Sequence, residues 1–496
     1  MWVLTLALAG GWAGTQIRSL TIRLSYPGEV SFIEGMRLAE IVRLRQGVPI
    51  YAPASAESFD AAIYGPFYYL LGSVVVAPTQ PSYFPLRVLS VLATLGCSGL
   101  AAFLVFSLAR SRWAAALAPL IFLGFSQVAW YGMAVRPDSL ALFLTFAGYV
   151  TAWQFRGSRR ILLAAPLMLL GLFVKQIFIA APLAVLFFLL GERKYQRAAV
   201  WAGVMTLGSL GLLAYFHYFA FPGQAFLQHF FTYNMLRMTL AQFMNEMIVA
   251  GLIFFGPTFL AFKYLDLYPD RLLACYLGCA LAVAILASGK EGSDINYFVE
   301  CVLITSVLIP AFLAKMIARP ARVLRVLIVL AVALFMARVF TPPLPRKGDF
   351  SRDLALQAFL RGNFTSSSRG LGYYTGDLLR AGLQTPISDP YQYVQLVRQG
   401  TFSDRDLVRE LERQKFDVII VNFDLQLAED RECMARSITD GMRGVILERY
   451  RLATTLELPG PELFHPDDRF YAWVPRPRAS SGAPKSSTSP SADHAR

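Results

Sequence analysis

The chain has 496 residues, of which 55% are hydrophobic and only 16% charged, whereas an ordinary soluble domain carries about 25% charged residues. The mean hydropathy is +0.47, and apolar runs of about 20 residues are long enough to cross a bilayer. A net charge of +13 would suit nucleic-acid binding, but the basic residues lie in short clusters between apolar runs, without a basic helix or an aromatic RNA-binding motif. Composition therefore indicates a polytopic protein whose partner is the lipid bilayer, and it argues against a nucleic-acid partner.

Eleven apolar runs predict membrane-spanning helices. They lie at about 1–20, 86–109, 113–131, 138–155, 160–174, 175–191, 198–218, 247–263, 270–288, 298–316 and 321–339. The runs at 160–174 and 175–191 are short, and a tilted hairpin of two helices that meet at Lys175 and Gln176 is an alternative to two full spans. No Lys or Arg precedes the first run, which favours an uncleaved span over a signal peptide.

Basic residues orient this array, because Lys and Arg in short loops stay on the cytoplasmic side. Clusters such as Arg156, Arg159 and Arg160 alternate along the chain with loops that hold one cation. The loops with one cation hold Arg136, Lys175, Arg237 and Lys290. With the N-terminus in the cytoplasm, the segment 21–85 and the residues beyond 340 lie outside the cytoplasmic membrane.

The segment 21–85 is long for a loop of a membrane protein, and long loops are often functional. It holds Glu29 directly after Pro27 and Gly28, and Glu34 follows five residues later. From this loop alone, a solvated carboxylate is the favoured interpretation of Glu29. The second half, 63–78, is apolar and aromatic but short for a span, which predicts a helix lying in the membrane interface.

The composition changes beyond residue 340, where three prolines end the last apolar helix and charged residues become frequent. A helix is predicted at 404–415, and strands are predicted at 417–423 and 471–474. We therefore expect a transmembrane domain over residues 1–340, a small extracytoplasmic α/β domain over 341–475, and a disordered tail rich in Ser, Pro and Ala over 476–496.

Three polar turns on the outer side each carry one cation. Arg136 precedes Pro137 and Asp138, Lys175 interrupts a long apolar stretch, and Lys290 opens a polar turn between two spans. Such a charge is costly near the hydrocarbon boundary unless it is paired or lines a wet cavity. Arg136 pairing with Asp138, and Lys175 reaching to the interface, are the simpler alternatives. The recurrence on one membrane face favours a site for an anionic ligand such as a lipid phosphate.

In their order and common face, these motifs resemble the GT-C superfamily of membrane glycosyltransferases, in particular the bacterial family-39-like proteins that include protein mannosyltransferases and lipid A aminoarabinose transferases. The motifs are Pro27 to Glu29, Tyr64 to Tyr69, Arg136 to Asp138, Lys175-Gln176 and Gly289 to Tyr297. The resemblance covers roughly residues 20–475. It implies a GT-C fold of about 11 transmembrane helices, and transfer of a hexose or pentose from a polyprenyl-phosphate donor to a lipid, glycan or protein acceptor outside the membrane.

The resemblance also implies roles for individual residues. Glu29 takes the place of the general base, with Glu34 as the second choice, and Arg136, Lys175 and Lys290 would bind the donor phosphate. Supporting residues in the same motifs are Tyr64, Tyr68, Asp138, Gln176, Ser293, Asn296 and Tyr297. Inversion at the sugar carbon is expected. This chain lacks the adjacent acidic pair of better-studied members, and we expect neither a metal nor another cofactor.

Two other classes of function are compatible with a polytopic chain. A transporter also places cations in the membrane, but it would show polar residues deep within helices and two related halves. A non-catalytic membrane component of a surface-glycan pathway would use the outer domain for binding and would not need Glu29. The ordered motifs favour the glycosyltransferase.

Overall fold

The structure is a computed structural model that describes residues 2–53, 55, 58–340, 347–427, 437–457 and 469–477. Helices form nearly all of the part that precedes residue 340. They are α1 (Trp2–Ser25), α2 (Phe32–Arg45), α3 (Pro66–Val75), α4 (Phe84–Ala109), α5 (Arg112–Gly124), α6 (Ser126–Tyr131), α7 (Asp138–Gln154), α8 (Ala165–Leu172), α9 (Ala180–Gly191), α10 (Tyr195–Tyr215), α11 (Leu240–Leu267), α12 (Arg271–Ala287), α13 (Val299–Met316) and α14 (Pro320–Val339).

The helical bundle is that of a multi-pass membrane protein. Among the described residues, five helical stretches are long and apolar enough to cross a bilayer. They are Phe84–Ala109, Tyr195–Ala220, Leu240–Leu267, Ile295–Met316 and Pro320–Val339. All eleven predicted runs contain helix, but several of these helices are short, so the exact number of spans stays a prediction.

The bundle is organised around α13. Of the residues in the apolar stretch Ile295–Met316, 83% are buried, and α13 packs against α4, α5, α11 and α12. Pro310 lies inside this helix, as Pro119 lies inside α5, which membrane helices tolerate when neighbouring helices cover the freed backbone groups. The central helix therefore fixes the ends of its neighbours, where the polar turns lie.

Two predicted local features are present. The chain turns between α8 and α9 at residues 173–179, which include Lys175 and Gln176. The aromatic half of the first loop forms α3, which packs on α2 and α4, and Gly72 of α3 allows a close approach to Ile41 of α2. The first loop is thus a folded layer over one end of the bundle.

The described residues from 347 onward form what we call the C-terminal region. It contains α15 (Lys347–Asn363), β1 (Gly370–Gly372), α16 (Thr375–Arg380), α17 (Pro390–Arg398), α18 (Arg405–Glu412), β2 (Val418–Val421), α19 (Asp440–Arg449), β3 (Tyr450–Glu457) and β4 (Arg469–Pro475). The sheet order is β1-β2-β4-β3, with β1 parallel to β2 and the other pairs antiparallel. Helices and strands thus form a mixed α/β layer.

The predicted helix at 404–415 corresponds to α18, and the two predicted strands correspond to β2 and β4. Strands β1 and β3 were not predicted. Strand β1 has only three residues, and β3 mixes polar and apolar residues without a regular alternation that would mark where the strand begins. The prolines at 342, 343 and 345 and nearly all of the predicted tail lie outside the described residues.

The C-terminal region sits on the first loop. Helix α16 packs against α2, and Phe59 of the loop forms a parallel bridge with Ile387. Arg37 of α2 donates to Asp389 Oδ2 at 3.0 Å, and both side chains are buried. This contact closes one side of a large cavity at the end of the bundle.

Candidate functional site

A cavity of about 880 Å³ lies between the bundle, the first loop and the C-terminal region. Its polar turns come from the chain segments 130–136, 175–179 and 287–297, and helix α17 adds side chains from the C-terminal region. The charged residues in its lining are Arg37, Arg136, Lys175, Glu246, Lys290, Glu291, Asp294, Asp389 and Arg398. The size suits a small polar ligand.

The three cations predicted to bind phosphate all line this cavity. Lys175 Nζ lies 2.7 Å from Asp138 Oδ1, and Arg136 Nε lies 3.4 Å from Asp138 Oδ2. Lys290 Nζ donates to Asn234 Oδ1 at 2.8 Å, and among the described residues it has no ion-pair partner. Two of the three cations therefore share one carboxylate and the third has no carboxylate partner in the described chain, which leaves positive charge for an anion.

Asp138 organises this arrangement. It begins α7, but its carboxylate does not cap the helix. It accepts instead from Lys175 and, at 2.6 Å, from Asn296 Nδ2. Asp138 lies just behind the cavity wall, because it is buried and is absent from the lining. It therefore holds Lys175 and Asn296 in place.

Aromatic rings surround the cations. Lys175 Nζ lies 5.3 Å from the ring centre of Tyr64 and 5.7 Å from that of Tyr297, and both rings line the cavity. The guanidinium of Arg136 lies over the Tyr131 ring at 4.9 Å. Ring faces attract cations, so these tyrosines hold the charges at the cavity wall. Tyr68 differs, because it is buried in the apolar core and does not line the cavity.

The remaining supporting residues join the loops. Gln176 Nε2 donates to the carbonyl oxygens of Ile63 and Phe230, and Ser293 Oγ donates to Ser288 O. Gln176, Ser293 and Asn296 line the cavity. Gln176 thus ties the turn after α8 to the first loop and to the segment before α11, and Asn296 ties the loop before α13 to Asp138.

Lys290 lies in an unusual environment for a lysine. Burial disfavours its charged form, and the positive charge of Lys175 adds to this effect, so the pKa of Lys290 falls to about 8. An anionic ligand would favour protonation of Lys290. This lysine is therefore a cation whose charge depends on pH in a range near neutrality.

Glu34 is fully paired. Arg87 donates to it through Nε at 3.0 Å and Nη2 at 2.6 Å, and the backbone amides of Val30 and Val135 donate at 2.9 and 2.8 Å. Its exposed fraction is 0%, and it does not line the cavity. Glu34 ties the first loop to α4 and to the loop before α7.

Glu29 does not line the cavity and lies between the start of α2 and α16. Its Oε2 accepts from the amide of Gly35 at 3.2 Å, and the amide of Gly376 also faces the carboxylate. Burial raises the pKa of Glu29 well above its usual value, and the negative charges of Asp377 and Glu34 raise it further. A Cβ at Gly376 would lie 2.6 Å from Glu29 Oε1, so only glycine fits there.

Several cavity residues had no role in the sequence analysis. Asp294 lies in the motif that contains Lys290, where it caps the short helix before α13. Glu246 lies in the long apolar helix α11 and interacts with Gln242. The sequence did not indicate that helix α17 belongs to the site, since its residues lie more than 90 positions from the nearest of the polar turns. Within the described residues, no group of three or more metal-ligating side chains is placed to hold a metal ion.

No protein-family model matches the chain, and no curated protein matches it. Its fold is similar to that of ArnT from Cupriavidus metallidurans bound to undecaprenyl phosphate, with a TM-score of 0.57 and 12% identity over 95% of this chain and 98% of that one. It is also similar to the oligosaccharyltransferase AglB from Archaeoglobus fulgidus in complex with an inhibitory peptide and a dolichol-phosphate, with a TM-score of 0.51 and 12% identity over 96% and 74% of the two chains. At these identities the likeness shows the fold alone, and this is the fold that the resemblance implied.

Proposed function

We propose that the chain is an integral membrane glycosyltransferase, which transfers a sugar from a polyprenyl-phosphate donor to an acceptor on the extracytoplasmic side of the cytoplasmic membrane. The observation that carries the proposal is the convergence of Arg136, Lys175 and Lys290 on one cavity, where only the first two share a carboxylate, that of Asp138. The fold supports it, because ArnT has this fold and binds undecaprenyl phosphate. The acceptor, a lipid, glycan or protein, belongs to the cell surface.

The cations would act on the leaving group. When the bond between the sugar carbon and the phosphate oxygen breaks, negative charge grows on the phosphate, and cations already in place stabilise it without reorganisation. Asp138 keeps Lys175 and Asn296 in position during this step. The phosphate departs as an anion, so the leaving group needs no proton donor.

The proposed base is Glu29. An acceptor hydroxyl becomes nucleophilic when a carboxylate takes its proton. Because burial raises the pKa of Glu29, the ionised form that can act as the base is favoured as pH rises. Its contact with Gly376 must open for the acceptor to reach it. Glu34 is the weaker choice, because its carboxylate already accepts hydrogen bonds from Arg87 and from backbone amides. If Glu29 proves dispensable, Asp294, which already faces the cavity, becomes the next carboxylate to test.

The proposed orientation follows from the charge of the loops. The first loop, the cavity and the C-terminal region lie at one end of the bundle, and we place this end outside, with Arg159 and Arg193 inside. The domain limits of 1–340 and 341–475 are part of the same proposal. Cysteines introduced at positions 55 and 194 test it with an impermeant thiol reagent, because Ser55 is exposed in the first loop. Labelling of 194 with protection of 55 would reverse the orientation.

The purified chain in lipid nanodiscs offers a direct test of the site. We expect undecaprenyl phosphate to bind, and the triple variant with Ala at Arg136, Lys175 and Lys290 to lose this binding. Arg237→Ala is the matched control, because Arg237 is a single loop cation of the same series that does not line the cavity. Unchanged lipid binding in the triple variant would refute the phosphate site, and solute flux without sugar transfer would instead indicate a transporter.

A further inference from the structure

Helix α17 of the C-terminal region is fixed against the loops that carry the cations. Gln392 Nε2 donates to the carbonyl oxygen of Tyr233, and Asp389 caps the helix by accepting from the amide of Gln392 at 2.8 Å. The Tyr391 ring packs on Gly292, where an added Cβ would lie 2.9 Å from the tyrosine oxygen. Gly292 is two residues from Lys290. The turn that carries Lys290 and the start of α17 are therefore neighbours.

Two polar side chains of α17 face the cavity without a partner. Gln395 follows Tyr391 by one helical turn, lines the cavity and has an exposed fraction of 7%, and its amide makes no hydrogen bond within the described part of the chain. Arg398 lies nearly one turn further on the same face at the exposed rim of the cavity, and it makes no ion pair with a described residue. A polar group that faces a cavity and has no partner in the protein is open to a ligand or to water.

The other hydrogen-bonding groups near α17 are already engaged. Asp389 accepts from Arg37, Gln392 donates to Tyr233, and Gln176 across the cavity donates to two carbonyl groups. Gln395 and Arg398 differ from these residues because no described residue forms a hydrogen bond or an ion pair with their side chains. They are the groups of α17 that remain for a molecule in the cavity.

We infer that Gln395 and Arg398 bind the hydroxyl groups of the donor sugar, so that the C-terminal region contributes to selecting the sugar. The inference rests on the proposed function. In a polyprenyl-phosphate donor the sugar is bonded directly to the phosphate, and a phosphate on Lys290 places the sugar beside α17. An amide can donate to one hydroxyl and accept from its neighbour, and a guanidinium donates through several N–H groups, which fits vicinal sugar hydroxyls.

Lipid binding with and without a sugar tests this inference. The probes are undecaprenyl phosphate and undecaprenyl phosphate carrying glucose, mannose or arabinose, and the full chain is held in nanodiscs. The wild type should bind at least one of the glycosylated lipids more tightly than the bare lipid. Gln395→Ala and Arg398→Ala should each weaken binding of that lipid by about tenfold, the effect of one lost hydrogen bond or charged contact.

Binding of the bare lipid should stay unchanged in both variants, which also shows that they fold. Arg405→Ala is the control, because Arg405 is exposed on α18 and does not line the cavity. Gln395→Met keeps the side-chain length, and it should behave like Gln395→Ala if the amide is what matters.

Three outcomes would overturn the inference. In the first, the wild type binds bare and glycosylated lipids equally. In the second, Gln395→Ala and Arg398→Ala weaken the binding of both kinds of lipid to the same extent. The third is unchanged donor binding with a raised KM for the acceptor, which would assign α17 to the acceptor. Failure of the proposed function gives a different result, because the wild type would then not bind bare undecaprenyl phosphate.

Discussion

Glu34, in the first turn of α2, and Lys290, in the turn after α12, are ionisable side chains at the same end of the bundle, but their surroundings differ. Glu34 accepts two bonds from Arg87 and two from backbone amides, so its charge and its hydrogen-bonding capacity are both satisfied. Lys290 has one neutral partner, the amide oxygen of Asn234, and faces a cavity. Completely paired charges hold the structure together, whereas an incompletely paired charge beside a cavity is available to a ligand.

The same difference separates Lys175 from Arg87. Lys175 shares Asp138 with a second cation and lines the cavity, while Arg87 has Glu34 to itself and also donates to the carbonyl oxygens of Arg23 and Gly28. Pairing therefore predicts which substitutions will affect stability and which will affect binding.

The largest effect on stability is expected for Arg87→Ala. This change leaves Glu34 charged, buried and without its guanidinium, and breaking a buried pair in this way costs about 3–5 kcal/mol. The free energy of unfolding should fall by that amount, with a lower melting temperature in detergent. Arg18→Ala on the exposed face of α1 is the control. An unchanged melting temperature in Arg87→Ala would mean that complete pairing does not mark a structural charge.

The largest effect on activity is expected for Glu29→Gln. Glutamine keeps the shape of the side chain but cannot accept the proton, so turnover should fall by about 10²-fold or more. Binding of undecaprenyl phosphate should survive, because the cations and not the carboxylate hold the phosphate. The measurement is sugar transfer by the purified variant from a polyprenyl-phosphate sugar.

Two further variants identify the base. Glu34→Gln should lower stability through its effect on Arg87, with near-normal turnover per folded molecule. Asp294→Asn should leave the base in place. Normal turnover in Glu29→Gln, together with loss in Asp294→Asn, would move the base into the cavity, and loss in Glu34→Gln alone would move it to Glu34.

Much of the fold follows from local patterns. Apolar runs predict the helices, and the alternation of loop charge predicts that the polar turns share one face. The three cations could be named because each is isolated in its turn. The carboxylate with which two of them pair could not be predicted, because Lys175 and Asn296, which both contact Asp138, lie 37 and 158 positions from it along the chain. The sequence likewise placed Glu29 and Glu34 in one loop, without indicating that only Glu34 would find an arginine.

Lys175→Ala should weaken the binding of undecaprenyl phosphate by about 10- to 100-fold, the effect of one charge-assisted contact in a buried site. Lys175→Arg should restore only part of the affinity, because the planar guanidinium cannot occupy the place of the ammonium beside Asp138 and Tyr64. The melting temperature should change less than in Arg87→Ala. If Lys175→Ala kept full affinity for undecaprenyl phosphate, Lys175 would serve only to pair with Asp138 and would not bind the phosphate.

The smallest effect concerns pH and Lys290. Burial lowers the pKa of Lys290 to about 8, so its ammonium is largely present at pH 7 and largely lost at pH 9.5. Affinity for undecaprenyl phosphate should therefore fall as pH rises through this interval, by up to about tenfold for one charged contact. Because bound phosphate favours the ammonium, the midpoint should lie above 8 when the lipid is saturating.

Lys290→Arg supplies the control for this prediction, since a guanidinium stays charged throughout the interval. Its affinity should be flat from pH 7 to pH 9.5, even if lower overall because Asn234 was arranged for a lysine. Lys290→Met removes the charge at every pH, so its affinity should be flat and low. If the wild type and Lys290→Arg lose affinity together, another group titrates, and the incomplete pairing of Lys290 has no part in holding the donor.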